Sequence, residues 1–223
     1  METHQITPPE WTISSPVKTV LAAFAQAGED IRFIGGCVRD AILERPVTDI
    51  DFATPAKPEN IQRILEGAGI KAIPTGIEHG TITAAIHDPH EDTHHNFEIT
   101  TLRQDVVTDG RHAEVAFTDN WQEDAARRDF TMNALSMDAS GQVYDYFDGI
   151  TDARAGHVRF VGDPRLRIQE DYLRVLRYFR FHAHYALETP DNELLELFQE
   201  NAGHLKALSA ERVRGEILKL LHS

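Results

Sequence analysis

The spacing of apolar residues over the first hundred positions alternates between the period of a helix and that of a strand. Val20, Leu21 and Phe24 recur at helical spacing, whereas Asp49 to Ala53 alternate as a half-buried strand does. The pattern predicts helices over residues 17–27 and 37–43 and from Pro58 to 67, and strands over 31–34, 49–53, 80–86 and 96–102.

The pattern changes twice further along the chain. Residues 103–120 are polar without a clear period, which predicts a long loop. A helix is predicted over 122–135, followed by short strands over 143–147 and 157–161. From Pro164 onward apolar residues recur every three or four positions, which predicts helices alone.

These elements predict an α+β protein, with a mixed β-sheet flanked by helices and followed by an all-helical part. The pattern changes at Gly162-Asp163-Pro164. We therefore expect one domain over residues 1–163 and a second, helical domain over 164–223.

Composition narrows the class of protein. The chain has 223 residues, of which 41% are hydrophobic, and its formal net charge is −14. No apolar run reaches the ~18 residues of a membrane span. The single cysteine, Cys37, forms no internal disulfide, so we expect a cytoplasmic protein with no membrane partner. A generally basic nucleic-acid surface is excluded, and a polyanion needs a local basic patch or metal ions.

Charge is distributed unevenly between the two predicted domains. Residues 164–223 contain nine Lys and Arg against nine Asp and Glu, so the whole excess of negative charge lies in residues 1–163. Five arginines cluster near the start of the helical part, at positions 165, 167, 174, 177 and 180. This segment is the predicted basic patch.

Asp49 and Asp51 are the candidate metal ligands. Two residues apart on a predicted strand, their carboxylates would project from one face and bind divalent ions together. Phosphoryl transfer from a nucleotide uses such a pair to hold two ions. Glu98, on a later strand, either completes this site or is a surface charge. An isolated Asp-x-Asp pair would be read as a solvated strand edge.

A glycine pair precedes these carboxylates. Gly35 and Gly36 lie between a predicted strand and helix, where backbone N–H groups and the helix N-terminus can approach a phosphate, and Arg39 adds a fork of donors. The alternative for the glycines alone is an ordinary strand-to-helix turn.

A second basic cluster is Arg127-Arg128-Asp129-Phe130-Thr131-Met132-Asn133-Ala134. On one helix, Arg127 and Arg128 could hold a triphosphate, while Asp129 and Asn133 could read a ribose hydroxyl. The alternative is a charged helix face.

The segment from Glu170 to Arg177 carries a pair that can read a base. Asp171 and Arg174 lie three apart, so on a helix they point the same way. Arg donates to the acceptors of cytosine or adenine, and Asp accepts from the amino group that both bases carry. Guanine and uracil present the opposite groups. The alternative is an intrahelical salt bridge.

Four histidines, His87, His90, His94 and His95, surround a predicted hairpin tip at Pro89. Their spacing fits no zinc template well, and a solvated turn is the preferred interpretation.

In this order, Gly-Gly-x-Val-Arg-Asp, Asp-x-Asp, Arg-Arg-Asp-Phe-Thr-x-Asn-Ala and Glu-Asp-x-x-Arg resemble the motifs of the bacterial-type (class II) tRNA nucleotidyltransferases. These are the CCA-adding enzymes, relatives of bacterial poly(A) polymerases. The resemblance runs from about Phe33 to the C-terminus.

The resemblance implies a polymerase β-like nucleotidyltransferase head and a helical neck. Mg²⁺, for which Mn²⁺ can substitute, would be bound by Asp49 and Asp51. The triphosphate and ribose would lie near Arg127, Arg128 and Asp129. The base of CTP and then ATP would be selected by three residues of the neck: Glu170, Asp171 and Arg174.

Three further implications concern the rest of the chain. The loop over residues 103–120 would be a flexible element linked to the switch from C to A addition. Residues 209–216 resemble the last motif of the family, which braces the neck helices. The longer members continue into body and tail domains that hold tRNA, so we expect this chain to need those domains or a partner chain.

The function implied is addition of C and A to the 3′ end of tRNA from CTP and ATP. The stretch over residues 76–81 resembles the CCA-adding version, and no Arg-Arg-Phe-like stretch typical of poly(A) polymerases is present. The alternatives are an enzyme adding only A, only CC or poly(A), and a catalytically idle module that binds RNA or nucleotide.

Overall fold

The computed structural model describes residues 2–88, 92–106 and 114–221. Its strands are β1 (Glu2–Gln5), β2 (Arg32–Ile34), β3 (Asp51–Thr54), β4 (Lys71–Gly76), β5 (Thr81–Asp88), β6 (Thr93–Thr101), β7 (Arg103–Val106), β8 (Glu114–Phe117), β9 (Ser136–Met137) and β10 (Gln142–Asp145). Its α-helices are α1 (Ser15–Ala27), α2 (Gly36–Ile42), α3 (Pro58–Gly67), α4 (Trp121–Ala126), α5 (Gly149–Ala155), α6 (Pro164–Glu170), α7 (Leu173–Tyr185), α8 (Asn192–Asn201) and α9 (Ala210–Leu221).

One mixed sheet forms the centre of the N-terminal part, with strand order β1-β10-β9-β2-β3-β6-β5-β4. β3 and β6 run parallel, and the other neighbouring strands of this sheet run antiparallel. The predicted α+β class with a mixed sheet is confirmed.

Alternation along the strands sends apolar side chains to one face of the sheet. Phe52 on β3 and Ile99 on β6 are fully buried in a core that contains Phe24 of α1 and Ile61 of α3. Neighbours in the sequence point the other way, because successive strand residues face opposite sides. The polar face that carries Asp51 is therefore fixed by the burial of Phe52.

A second, aromatic cluster joins the N-terminal part to the C-terminal helices. The ring of Phe130 lies 4.9 Å from Phe160 and 5.0 Å from Phe181, and Tyr178 stacks on Phe160 at 6.0 Å. Phe198 of α8 completes the cluster. The helices of the C-terminal part begin at Pro164, where the Asp163 side chain accepts a hydrogen bond from the Arg165 N–H. The division into two domains stays a prediction.

One predicted loop and one predicted helix are wrong in part. Residues 103–120 contain the paired strands β7 and β8, while residues 107–113 lie outside the described part. The helix predicted over 122–135 is α4 alone, because the chain must turn to bury Phe130, which bridges Phe160. A single 3-10 turn, Thr131–Asn133, follows.

The strand predicted over 157–161 is only this bridge at Phe160. β10 ends at Asp145, whose carboxylate accepts hydrogen bonds from the N–H groups of Phe147, Gly149 and Ile150 and so turns the chain into α5. Besides β7 and β8, the prediction missed four strands and α-helices of the described residues: β1, β4, β9 and α5.

Replacing Phe130 by Ala tests the aromatic cluster. Phe130 is fully buried between rings, so its truncation should lower the free energy of unfolding by about 3–5 kcal/mol in a urea titration. Phe179→Ala is the control, because Phe179 also contacts Phe198 but is 37% exposed. An equal or larger loss in the control would contradict a structural role for the Phe130 cluster.

Candidate active site

A cavity of about 720 Å³ lies between the polar face of the sheet and the C-terminal helices. Arg103, Arg180 and Arg212 are among its lining residues. It also gathers the predicted site residues except Glu98 and Glu170: Gly35, Gly36, Arg39, Asp49, Asp51, Arg127, Arg128, Asp129, Asn133, Asp171, Arg174 and Arg177. Residues from four separate stretches of the sequence therefore converge on one space.

Asp49 and Asp51 line this cavity, although only Asp51 belongs to a strand. The prediction of a strand over 49–53 is wrong at its start, because the parallel ladder of β3 with β6 begins at Asp51, opposite Glu98. Asp49 is exposed and lies in the segment that precedes β3. The Asp51 and Glu98 carboxylates share one face of the sheet, as in-register neighbours on parallel strands do.

A second cavity, of about 740 Å³, meets the first at these carboxylates. Thr48, Asp49 and Asp51 line both cavities, and Glu98 lines only the second. Asp49 and Asp51 therefore lie where the two cavities meet and are accessible from both.

Charge is concentrated at this junction. The pKa of Asp51 is raised to about 6: burial contributes most, the charges of Glu98 and Asp49 also raise it, and the charge of Arg128 opposes them. Carboxylate oxygens that repel one another in this way match the donors that divalent cations prefer. Within the described residues, no three His, Cys, Asp or Glu side chains converge closely enough to form a metal site.

The glycine pair places backbone beside the arginines. Gly35 has φ +68°, and a Cβ there would lie 3.3 Å from Nη1 of Arg128, so a side chain at this position would be strained and crowded. Arg39 is buried, and its guanidinium donates to the Asp40 carboxylate and to Oδ1 of Asn133, the latter at 2.6 Å. A direct contact between Arg39 and a nucleotide stays a prediction.

Arg127 and Arg128 follow α4 instead of lying inside a helix, which corrects the predicted helix face. Both guanidiniums donate to the buried carboxylate of Asp124, with the shorter contacts at 2.8 and 3.0 Å. Burial would raise the pKa of Asp124, but the charges of the two arginines and their hydrogen bonds hold it below its usual value. Arg127 and Arg128 therefore both line the cavity and are both held by the Asp124 carboxylate.

Asp129 is buried, and both of its carboxylate oxygens are in use. Oδ1 accepts from the Phe130 N–H and from Nδ2 of Asn133, and Oδ2 accepts from Nε of Arg177 at 2.8 Å. Burial opposes its ionisation, but the Arg177 charge and these hydrogen bonds hold its pKa below the usual range. Its predicted contact with a ribose stays a prediction.

Asp171 and Arg174 do not lie on one helix, so the prediction that they share a helix is wrong. α6 ends at Glu170 and α7 begins at Leu173, because the Asp171 carboxylate turns back to accept from the Leu173 N–H. Arg174 pairs with Glu170 at 2.6 Å. Arg212 of α9 pairs with Asp171 at 2.7 Å. The intrahelical pair of Asp171 with Arg174 is thus replaced by two separate pairs.

Several site residues were missed. Asp124 stands three and four positions before Arg127 and Arg128, a spacing that indicates helical ion pairs and could have identified it. Glu216 accepts from Arg177 and Arg180, a long-range contact with no local signal in the sequence.

The histidine interpretation concerns the β5–β6 hairpin. The rings of His87 and His94 stack at 4.7 Å on its exposed surface, and His95 stacks on Phe97 at 6.2 Å. His90 lies outside the described residues.

The mixed sheet with flanking helices is the architecture of a nucleotidyltransferase head. Comparison with protein families agrees: the family described as the poly A polymerase head domain matches residues 31–159, and that described as the probable RNA and SrmB-binding site of polymerase A matches residues 189–223. The chain belongs to the poly A polymerase head domain family.

Individual relatives confirm the predicted resemblance to CCA-adding enzymes. The chain is 49% identical over 195 residues to the CCA tRNA nucleotidyltransferase 1, mitochondrial, of Danio rerio, covering 86% of this chain and 44% of that protein. It is 37% identical to the CCA-adding enzyme of Staphylococcus epidermidis, covering 94% and 50%. The chain therefore spans about half the length of these relatives.

A solved structure gives the same result. The crystal structure of the Bacillus stearothermophilus CCA-adding enzyme in complex with CTP is 36% identical, with a TM-score of 0.79 over 94% of this chain and 49% of that one. Within the described residues, every helix is too short or too polar to cross a bilayer. The predicted cytoplasmic location stays a prediction, since one of the relatives above has a mitochondrial name.

Replacing Asp51 by Asn should change how stability depends on pH in metal-free buffer. The folded protein favours protonated Asp51, so this contribution is present below about pH 4 and lost as pH rises through about 6. The Asn variant cannot lose stability in this way. Its free energy of unfolding, measured in urea, should therefore rise relative to that of the wild type by roughly 1–2 kcal/mol between pH 4 and pH 7.5. A stability difference that stays flat across this range would contradict the crowding of charge at Asp51.

Proposed function

We propose that this chain is the catalytic head and neck of a tRNA nucleotidyltransferase, which adds C and A to the tRNA 3′ end from CTP and ATP without a nucleic-acid template. The observation that carries the proposal is the meeting of two cavities at Asp49 and Asp51. Nucleotidyl transfer joins a triphosphate to a hydroxyl, so it needs two substrates to reach the same carboxylates from different sides.

The first cavity is assigned to the nucleotide, because it contains the cationic side chains. Arg127 and Arg128 face it with planar donor groups that match phosphate oxygens. The open backbone at Gly35 and Gly36 leaves room for phosphate next to Arg128. The names of the relatives and the CTP bound in the similar crystal structure support this assignment.

Asp49 and Asp51 would hold Mg²⁺ or Mn²⁺, with Glu98 as a further oxygen donor beside Asp51. When bound, two such ions lower the pKa of the attacking hydroxyl and neutralise charge on the departing pyrophosphate. The chain itself supplies the placement of the carboxylates, fixed by the burial of Phe52 next to Asp51.

The choice of nucleotide is assigned to Asp171, which lies between α6 and α7, and to Arg174 in the first turn of α7; both line the first cavity. Arg174 is fixed by Glu170 and by hydrogen bonds to the carbonyl oxygens of Arg167 and Arg127. A fixed donor and a fixed acceptor can distinguish the edge of cytosine or adenine from that of guanine or uracil. The base is then read by protein groups in place of a template strand.

Incorporation of nucleotides into RNA tests the activity. The protein should transfer labelled CTP and then ATP to tRNA that lacks its terminal CCA, and should reject GTP and UTP. Product length separates full CCA addition from addition of A, CC or poly(A). The variant Asp49→Ala/Asp51→Ala should lose transfer by at least about 1,000-fold while its unfolding curve stays cooperative. CTP binding without incorporation on any tRNA would instead identify a catalytically idle module.

Replacing Asp171 by Asn tests the reading of the base. The amide presents a donor where the carboxylate presented only acceptors, so kcat/KM for CTP and ATP should fall about 10- to 100-fold, and the preference over GTP and UTP should narrow. Asp191→Asn is the control, since Asp191 also caps a helix but lies outside the first cavity. Unchanged selectivity in Asp171→Asn would remove Asp171 from the reading of the base.

A further inference from the structure

Asp124 stands out because one buried carboxylate receives hydrogen bonds from three other residues. It is 4% exposed. Oδ1 accepts from Nε and Nη2 of Arg127 and from the Arg103 N–H, and Oδ2 accepts from Nε and Nη2 of Arg128. Asp124 does not line the nucleotide cavity, but all three of its partners do.

We propose that Asp124 is a positioning residue, which presents Arg127 and Arg128 to the triphosphate and keeps Arg128 off the carboxylates that bind metal. The inference rests on the proposed function. It adds to that function a residue that acts through the arginines and does not touch the nucleotide.

The first part follows from geometry. Each guanidinium places two N–H groups on Asp124, which fixes its plane and directs the remaining N–H groups elsewhere. Arg127 and Arg128 follow the last turn of α4, and without an anchor their long side chains would adopt many rotamers. Ordering these side chains before binding removes that entropic cost from the association with nucleotide.

The second part follows from the neighbours of Arg128. Arg128 lines the same cavity as Asp49 and Asp51, and its Nη1 lies against Gly35 at the end of β2, the strand paired with β3. Its charge already acts on Asp51, whose pKa it lowers. Held by Asp124, Arg128 stays on the phosphate side. Without that partner, Arg128 would be drawn toward Asp51, on which its charge already acts, and the guanidinium would compete there with the cation.

The Arg103 contact extends the arrangement to the β7–β8 hairpin. Asp124 accepts from the Arg103 N–H, and Arg127 donates to the Arg103 carbonyl oxygen. Arg103 at the start of β7, Arg127 and Arg128 are therefore all hydrogen-bonded to Asp124. A change at Asp124 would loosen both.

The test compares Asp124→Asn with the wild type by calorimetric titration of CTP, first in EDTA and then with Mg²⁺, in the absence of RNA. Asn keeps the shape of the side chain but removes the charge that holds two cations. We expect the dissociation constant for CTP in EDTA to rise about tenfold. Asp124→Glu, which keeps the charge but displaces it, should give an intermediate value and covers the case in which Asp124→Asn does not fold.

The matched control is Asp152→Asn. Asp152 is 6% exposed and binds Thr131 and Arg159, but it lies outside both cavities. The Asp152→Asn variant should be less stable than the wild type, because it loses a buried charged partner, but its affinity for CTP should be unchanged. A similar weakening of CTP binding in this control would reduce the role of Asp124 to general stability and overturn the proposal.

Direct titration of Mn²⁺ by electron paramagnetic resonance tests the second part without relying on activity. Asp124→Asn should bind Mn²⁺ several-fold more weakly, and Asp124→Asn/Arg128→Gln should recover the wild-type affinity, because the competing guanidinium is gone. Mn²⁺ binding that stays weak in the double variant, or never weakens, would overturn this part.

The outcomes also separate this inference from the proposed function. A wild-type chain that binds no CTP would overturn both together. Wild-type binding that is matched by Asp124→Asn would overturn the positioning role alone.

Discussion

The ion pair between the buried Asp129 carboxylate and the half-buried Arg177 guanidinium is the interaction on which the candidate site depends. It joins the turn after α4 to α7, and it continues in both directions: through Asn133 to Arg39 and the glycine pair, and through Glu216 to α9. Removing Arg177 would leave the Asp129 charge buried without its partner, a change that costs about 3–5 kcal/mol in fully buried pairs. These ion pairs therefore hold the sheet, the first cavity and the last helix in one arrangement.

The same junction explains why α4 is short. A helix that ends leaves carbonyl oxygens without partners, and here Arg167 donates to the carbonyl oxygen of Ala126 and Arg174 to that of Arg127. Arginines of the C-terminal helices thus cap α4 from outside. Arg174, which we assign to the base, is therefore hydrogen-bonded directly to the backbone of Arg127, which we assign to the phosphates.

The parts predictable from the sequence were those controlled by local pattern. Alternation identified the strands of Phe52 and Ile99, since their burial depends only on facing a core. The order of the motifs identified the family, and the predicted site residues other than Glu98 and Glu170 line one cavity. What failed required long-range contacts. The end of α4 depends on Phe160, Arg167 and Arg174. The break after Glu170 depends on Asp171, which caps α7 while Arg212 holds its other oxygen. Helical spacing alone contains neither contact.

The distribution of charge in the cavity bears on how an acidic protein can select a polyanion. Five arginines of the first cavity are paired with carboxylates: Arg127 and Arg128 with Asp124, Arg174 with Glu170, Arg177 with Asp129 and Glu216, and Arg212 with Asp171. Paired arginines give a cavity of low net charge, so an extended phosphate backbone gains little from entering it. Under the proposed function a triphosphate with divalent cations would differ, because the cations would bind the carboxylates at Asp49 and Asp51 while the arginines would donate to the phosphates. Under the proposed function this pairing would favour a metal-bound nucleotide over RNA phosphates, which makes the net charge of −14 compatible with a nucleotide site.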